Sequence, residues 1–249
     1  MISMMKIVST MKIAKPVKFT LVLLTLFLAI HVEVMAQGGD VTASIHVTAT
    51  SATEQATRLS PANVVVWLTP LDTPLPPPVP KQHIRLVQKN KEFTPHLLVI
   101  PTGTSVDFPN LDPFFHNVFS LFNGKRFDLG LYEAGSHRSV SFDREGISYI
   151  FCNIHPEMGA VVVALKSPYY AISSLDGSVV LHDVPEGRYR VQTWAEQLQP
   201  ASPQETDRVI QVTAKGAAIG AIAFVPGTDA LAHHKNKFGK DYPASPPQY

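Results

Sequence analysis

Cysteine is almost missing from this chain: Cys152 is the single thiol in 249 residues. One thiol excludes an internal disulfide framework, a four-thiolate zinc site, an iron–sulfur cluster and any dicopper centre with two bridging thiolates. Charge is scarce as well. Asp, Glu, Lys and Arg make up 16% of the residues, and a formal net charge of +1 gives no support for a nucleic-acid footprint. Long helix-period segments are lacking, and 21 Pro lean the chain towards β structure. The 45% apolar fraction argues against wholesale disorder. No Ser/His/Asp arrangement, phosphate-cradling glycine loop or c-type haem signature occurs. Asp143 and Glu145 read as a turn rather than acid/base machinery, so no catalytic residue is assigned and the chain is not read as an enzyme.

The N-terminus reads as an address. Lys6, Lys12, Lys15 and Lys18 precede a 12-residue apolar run from Phe19 to Ile30, shorter than the roughly 20 residues a membrane span needs. Val34-Met35-Ala36 then offers a cleavage site before Gln37. Residues 1–36 are therefore expected to be a signal peptide, the mature protein periplasmic or secreted, with no stable membrane insertion. Cleavage leaves 17 basic and 19 acidic residues, one Met (Met158) and one Cys (Cys152). An exported chain with one thiol needs a reason for it: burial, intermolecular pairing or metal ligation.

Short β-runs separated by turn residues fill the rest. Residues 40–48 and 62–68 are expected strands, and the proline-rich stretch 73–80 is a stiff connector. Between 81 and 167 strands are expected near 83–88, 95–100, 104–108, 116–121, 126–130, 137–142, 147–152 and 160–166, enough for a small β-sandwich. Five more follow, at 169–173, 178–184, 189–196, 208–214 and 217–225, with turns at Asp176-Gly177 and Pro185-Glu186-Gly187. Residues 227–249 read as a flexible tail in which His233 and His234 are solvated; His83, His96, His137 and His182 read as surface or structural histidines.

The chemistry concentrates in CNIHPEM, where Cys152, His155 and Met158 are spaced C-x2-H-x2-M just past the β-run SYIF. Thiolate, imidazole and thioether form a soft ligand set, and a trigonal two-His, one-thiolate site with a weak Met contact is the arrangement of electron-transfer copper. A second imidazole would have to come from elsewhere. The same spacing also suits a buried Cys and a core Met beside a surface His, with no metal.

Upstream lie Phe93-x-Pro95, the turn and strand Gly103-x-x-Val106-x-Phe108, Asn110-x-Asp112, and His116-Asn117-Val118. With CNIHPEM these resemble the cupredoxin family of blue-copper β-sandwich proteins, over roughly residues 83–166, and the ligand loop looks most like the amicyanin type. The resemblance implies one type 1 copper held by His116, Cys152 and His155, with Met158 axial. It also implies that Asn117 braces the site by hydrogen bonding between the ligand loops. Phe108 stands where many relatives have Trp.

The segment from Ala171 to Trp194, with Asp176-Gly177 and Val184-Pro185-Glu186-Gly187-Arg188-Tyr189, resembles the second half of a carboxypeptidase regulatory-like sandwich. Gly39-Asp40-Val41 and Pro61 to Val66 fit its first half loosely. The expected fold is thus all-β: a cupredoxin Greek-key sandwich plus a regulatory-like, transthyretin/Ig-like one. Residues 37–72 and 168–226 would share that second sandwich, with 81–167 possibly inserted between them. The leading function is a one-electron carrier. Leu111, Pro113, Phe114 and Pro156 would form an apolar patch for a redox partner protein around His155, whose ring edge would reach solvent. The alternative is a copper-binding or sensing protein, or a carbohydrate- or protein-binding sandwich, without electron transfer.

Overall fold

The computed structural model describes residues 38–48, 59–121, 124–228, 231 and 234–243; the expected signal segment and His233 lie outside them. The described residues are all β, with one short 3-10 turn at Pro203–Glu205. Strands β1 (Gly39–Val47) and β2 (Val65–Pro70) come first. Ten follow: β3 (Ile84–Arg85), β4 (Val87–Lys89), β5 (Glu92–Thr94), β6 (Leu97–Pro101), β7 (Thr104–Pro109), β8 (His116–Ser120), β9 (Phe127–Tyr132), β10 (His137–Phe142), β11 (Gly146–Cys152) and β12 (Gly159–Leu165). The last six are β13 (Tyr170–Ile172), β14 (Ser178–Val184), β15 (Gly187–Trp194), β16 (Leu198–Pro200), β17 (Val209–Val212) and β18 (Ala217–Pro226).

Pairing sorts these strands into two sandwiches. One has the sheets β14-β1-β18-β16 and β13-β2-β15-β17; the other has β10-β7-β3 facing β6-β12-β11-β8-β9, with β4-β5 as a side hairpin. The chain leaves the first sandwich after Pro70, builds the second, and returns at Tyr170, where β13 pairs with β2. Thus β2 also pairs with β15, while β1 lies between β14 and β18.

Binary patterning explains which faces are buried. In β1, Val41, Ala43 and Ile45 point inward and the residues between them are more exposed, the period-two pattern of a half-buried strand. They pack with Leu68, Leu181, Val191, Ile222 and Phe224. The turn after β13 needs Gly177, whose φ is +81° and where a Cβ would lie 2.4 Å from the Ile45 carbonyl oxygen. Tyr189 closes the β14–β15 connection: its ring is buried and its hydroxyl donates to the Pro185 carbonyl (2.9 Å), the geometry of a tyrosine corner.

The second sandwich has its own core around Phe93, Phe108, Val118, Phe142 and Ile150. Phe108 is fully buried, its ring centroid 5.8 Å from that of Phe127. β12 is apolar throughout, because both its faces are covered. Ala160, Val162 and Ala164 face this core, while Val161, Val163 and Leu165 join Val65 and Val99 in a third cluster, with Trp67 and Trp194 against it. That third cluster lies between the sandwiches, and its five buried side chains contribute on the order of 1.5–3 kcal/mol each.

The C-terminal segment departs from the expectation of a flexible, solvated tail. Residues 234–243 lie on the second sandwich, and His234 is half-buried and stacked on Phe151 with centroids 3.9 Å apart and planes 12° off parallel. Polar composition suggested disorder; specific aromatic and hydrogen-bond partners far away in sequence provide the order instead.

Candidate metal centre

Two strand ends build the site. β8 opens on His116, and β11 ends on Cys152, which pairs with Val118 two residues beyond that histidine. The chain then turns back at once. The Met158 N–H donates to the His155 carbonyl (3.1 Å) and the Cys152 N–H to the Met158 carbonyl (3.3 Å), so residues 152–158 form a closed loop. This loop returns His155 beneath Cys152 and leads Met158 into the core. His116, Cys152 and Met158 are fully buried and His155 is 2% exposed.

The donor atoms converge. His116 Nδ1 lies 3.8 Å from Cys152 Sγ, His155 Nδ1 lies 3.6 Å from the same sulfur, and the two imidazole nitrogens are 3.1 Å apart. Bonds of about 2.0 Å to nitrogen and 2.3 Å to sulfur, as around zinc, put the donors of a single ion roughly 3–4 Å from one another. The spacing therefore fits one small cation. Among the described residues this is the one His/Cys/Asp/Glu group so gathered.

Asp112 orients the first imidazole. His116 Nε2–H donates to Asp112 Oδ2 at 2.8 Å. An ionised carboxylate only accepts, so the ring proton sits on Nε2 and the Nδ1 lone pair faces the sulfur. The carboxylate itself is nearly buried and receives the backbone N–H groups of Asn90 (2.6 Å) and Lys91 (3.0 Å). Burial works to raise the Asp112 carboxyl, but the Lys91 N–H, the His116 ring and the Asn90 N–H outweigh it and hold it below the usual carboxylate range. The sequence singled out Asp112 as part of a pattern without this role. A carboxylate four residues ahead of a ligand is a signal that could have found it.

Burial lowers the pKa of both imidazoles, for His155 with help from its neighbour His116, and so favours the neutral, ligating form. Burial pushes the Cys152 thiol up, opposed by the backbone N–H groups of Asn117, Ile154 and His155. Asn117 thus faces the sulfur with its main chain. That main-chain bond spans the two ligand-bearing segments, while the side chain donates its Nδ2–H to Asp128 Oδ1 on β9 (2.7 Å).

Phe114 also departs from its expected place. Its ring stands edge-on to both imidazoles, 5.2 Å from His116 and 5.6 Å from His155, and it is half-buried. Asn110 Nδ2 fixes this loop by donating to the Phe114 carbonyl (2.7 Å). The His155 ring therefore lies under Phe114 rather than reaching solvent. Leu111, Pro113 and Pro156 are exposed, and so is Phe115, which the sequence did not mark.

No protein-family model and no curated protein matches this chain. Among solved structures it is similar to a purple cupredoxin from Nitrosopumilus maritimus: 24% identity, 33% of this chain and 99% of that one, TM-score 0.30. An oxidized amicyanin mutant matches at 19% identity over 40% of this chain and 99% of its own, TM-score 0.32. A Cu-containing nitrite reductase from Thermus scotoductus SA-01 matches at 19% identity and TM-score 0.32, with 48% of this chain covering 28% of that one. The strands β3–β12 form a two-sheet β-sandwich in which His116 opens β8 and Cys152 closes β11.

Proposed function

We propose that the chain is an exported one-electron carrier holding a single copper ion through His116 Nδ1, Cys152 Sγ and His155 Nδ1, with Met158 as a weak fourth contact. The observation that carries this reading is the buried convergence of two imidazole nitrogens and one thiol within 4.8 Å, with the tautomer of His116 set by Asp112. Bound there, copper would supply a couple between two oxidation states one electron apart.

The residues support such a task. The donors sit on paired strand ends and a loop closed by its own hydrogen bonds, so they are held in place before any ion arrives. Phe114 and the buried loop keep bulk water off the donors. Around Phe114, exposed Leu111, Pro113, Phe115 and Pro156 offer a small apolar surface suited to a transient redox partner protein. Export is the reading of residues 1–36; among the described residues no helix is long and apolar enough to cross a membrane.

The purified mature protein with added Cu(II) is expected to become intensely coloured and to be reduced and reoxidised reversibly. Cys152→Ser is expected to abolish the colour. Equal colour in Cys152→Ser, or preferential formation of a colourless Zn(II) complex, would overturn the assignment. Copper binding without reversible cycling would favour a binding or sensing protein.

A further inference from the structure

The C-terminal segment touches the metal loop at several points. Gly227, just past β18, donates its N–H to the Gln197 carbonyl (2.8 Å), so the segment sets out from the first sandwich. It ends on the other one. The Tyr242 hydroxyl donates to the carbonyl of Cys152 (2.8 Å). The Lys237 N–H donates to Asn153 Oδ1 (3.0 Å), between the thiol and His155 in sequence. Lys237 Nζ pairs with Asp128 Oδ2 (2.7 Å), whose other oxygen accepts from Asn117, the residue beside His116. His234 stacks on Phe151 and lies 3.0 Å from the Tyr242 hydroxyl. The turn between these anchors builds itself: Asn236 Oδ1 accepts the N–H groups of Phe238 and Lys240, and the Asn236 N–H donates to the Lys240 carbonyl.

We infer that residues 234–243 are a clasp that holds both ligand-bearing segments in register, and that the first sandwich serves the metal centre by presenting this clasp. The physical reason lies at the end of β11. Cys152 is its last residue, where the sheet gives way to the loop. Tyr242 satisfies the Cys152 carbonyl from outside, and Lys237 ties the next residue and the β8–β9 side together. Without these bonds the Cys152–Met158 loop keeps its internal closure, the Cys152–Val118 pairing and the core packing of Ile154 and Met158, but nothing holds its outer side. Segments with few anchoring bonds open locally at low cost. Tyr242 and Lys237 are thus positioning residues. The part of this inference that concerns copper rests on the function proposed above; the ordering of the loop does not.

The test compares the full chain with Tyr242→Phe, Lys237→Ala, and a chain ended after Thr228, which leaves β18 intact. In metal-free protein, hydrogen exchange of the backbone amides of residues 153–158 (Pro156, which has none, aside) is expected to quicken by about tenfold when one anchoring bond is lost, in keeping with the usual worth of a hydrogen bond, and further in the shortened chain. Amides of β1 and β18 should stay unchanged. In Cu(II)-loaded protein challenged with excess EDTA, release is expected to quicken by a similar factor, with a shift in the position or strength of the sulfur-to-copper absorption band. Unchanged exchange at 153–158 in both Tyr242→Phe and Lys237→Ala overturns the clasp, whatever the protein does with copper. Faster exchange in a protein whose parent takes up no copper leaves the clasp standing and sinks the metal reading alone.

Discussion

The two sandwiches share an architecture and differ in what they bury. Of the twelve buried polar residues among those described, ten lie between Gln88 and His155, in the β3–β12 sandwich; the remaining two are Ser167 and Ser173. Those two serve the backbone: Ser167 donates to the Leu68 carbonyl, and Ser173 donates to the Pro61 carbonyl and accepts the Val64 N–H. In the other sandwich Asn110, Asp112, His116, Asn117 and His155 gather at one end around a thiol. Burying polar groups costs free energy unless each is partnered. Buried polar side chains are concentrated in one sandwich, and five of them meet at the candidate site.

Three measurements sharpen or break this contrast. Ile222 is fully buried in the apolar sandwich. Ile222→Ala is expected to cost about 2–5 kcal/mol of unfolding free energy in denaturant titrations while leaving the copper absorption of the folded protein as it was. A changed spectrum would mean that the sandwiches do not divide stability and chemistry in this way. The next effect concerns pH. Burial raises the thiol pKa, so Cys152 is protonated in metal-free protein near neutrality and must lose its proton to ligate. Copper affinity should therefore rise by about tenfold for each pH unit between 6 and 7, with about one proton released per ion; competition titrations at the two pH values read this directly. A flat profile would mean that the thiol is not a ligand. The smallest effect belongs to Asp112→Asn, which keeps an acceptor for His116 but removes the charge. Loss of that charge should disfavour the oxidised ion by up to about tenfold, a rise of up to about 59 mV for a one-electron couple, read by redox titration. An unmoved potential would reduce Asp112 to a strut.

Much of this contrast is visible in the residues themselves. β7, β10 and β14 lie where alternating runs are bounded by turn residues, and CNIHPEM puts three donors on one short loop by its spacing. Two of the three-residue elements escaped, β5 and β16, which are too short to carry a period. The cover over His155 escaped because apolar Phe114 looks the same in a docking patch as in a lid. The hold of the C-terminal segment escaped because Lys237 and Tyr242 find their partners 84 and 90 residues away, and no local pattern announces such a partner.

The doubly covered strand β12 has a practical consequence. A biotechnologist who cut the gene at Lys81 and Ser167 to obtain a minimal electron carrier would strip Val99, Val161, Val163 and Leu165 of their neighbours Val65 and Trp67. The fragment would expose a dry aliphatic strip and stick to itself or to whatever it met. Grafting, shuffling or miniaturising this molecule must therefore carry both halves together.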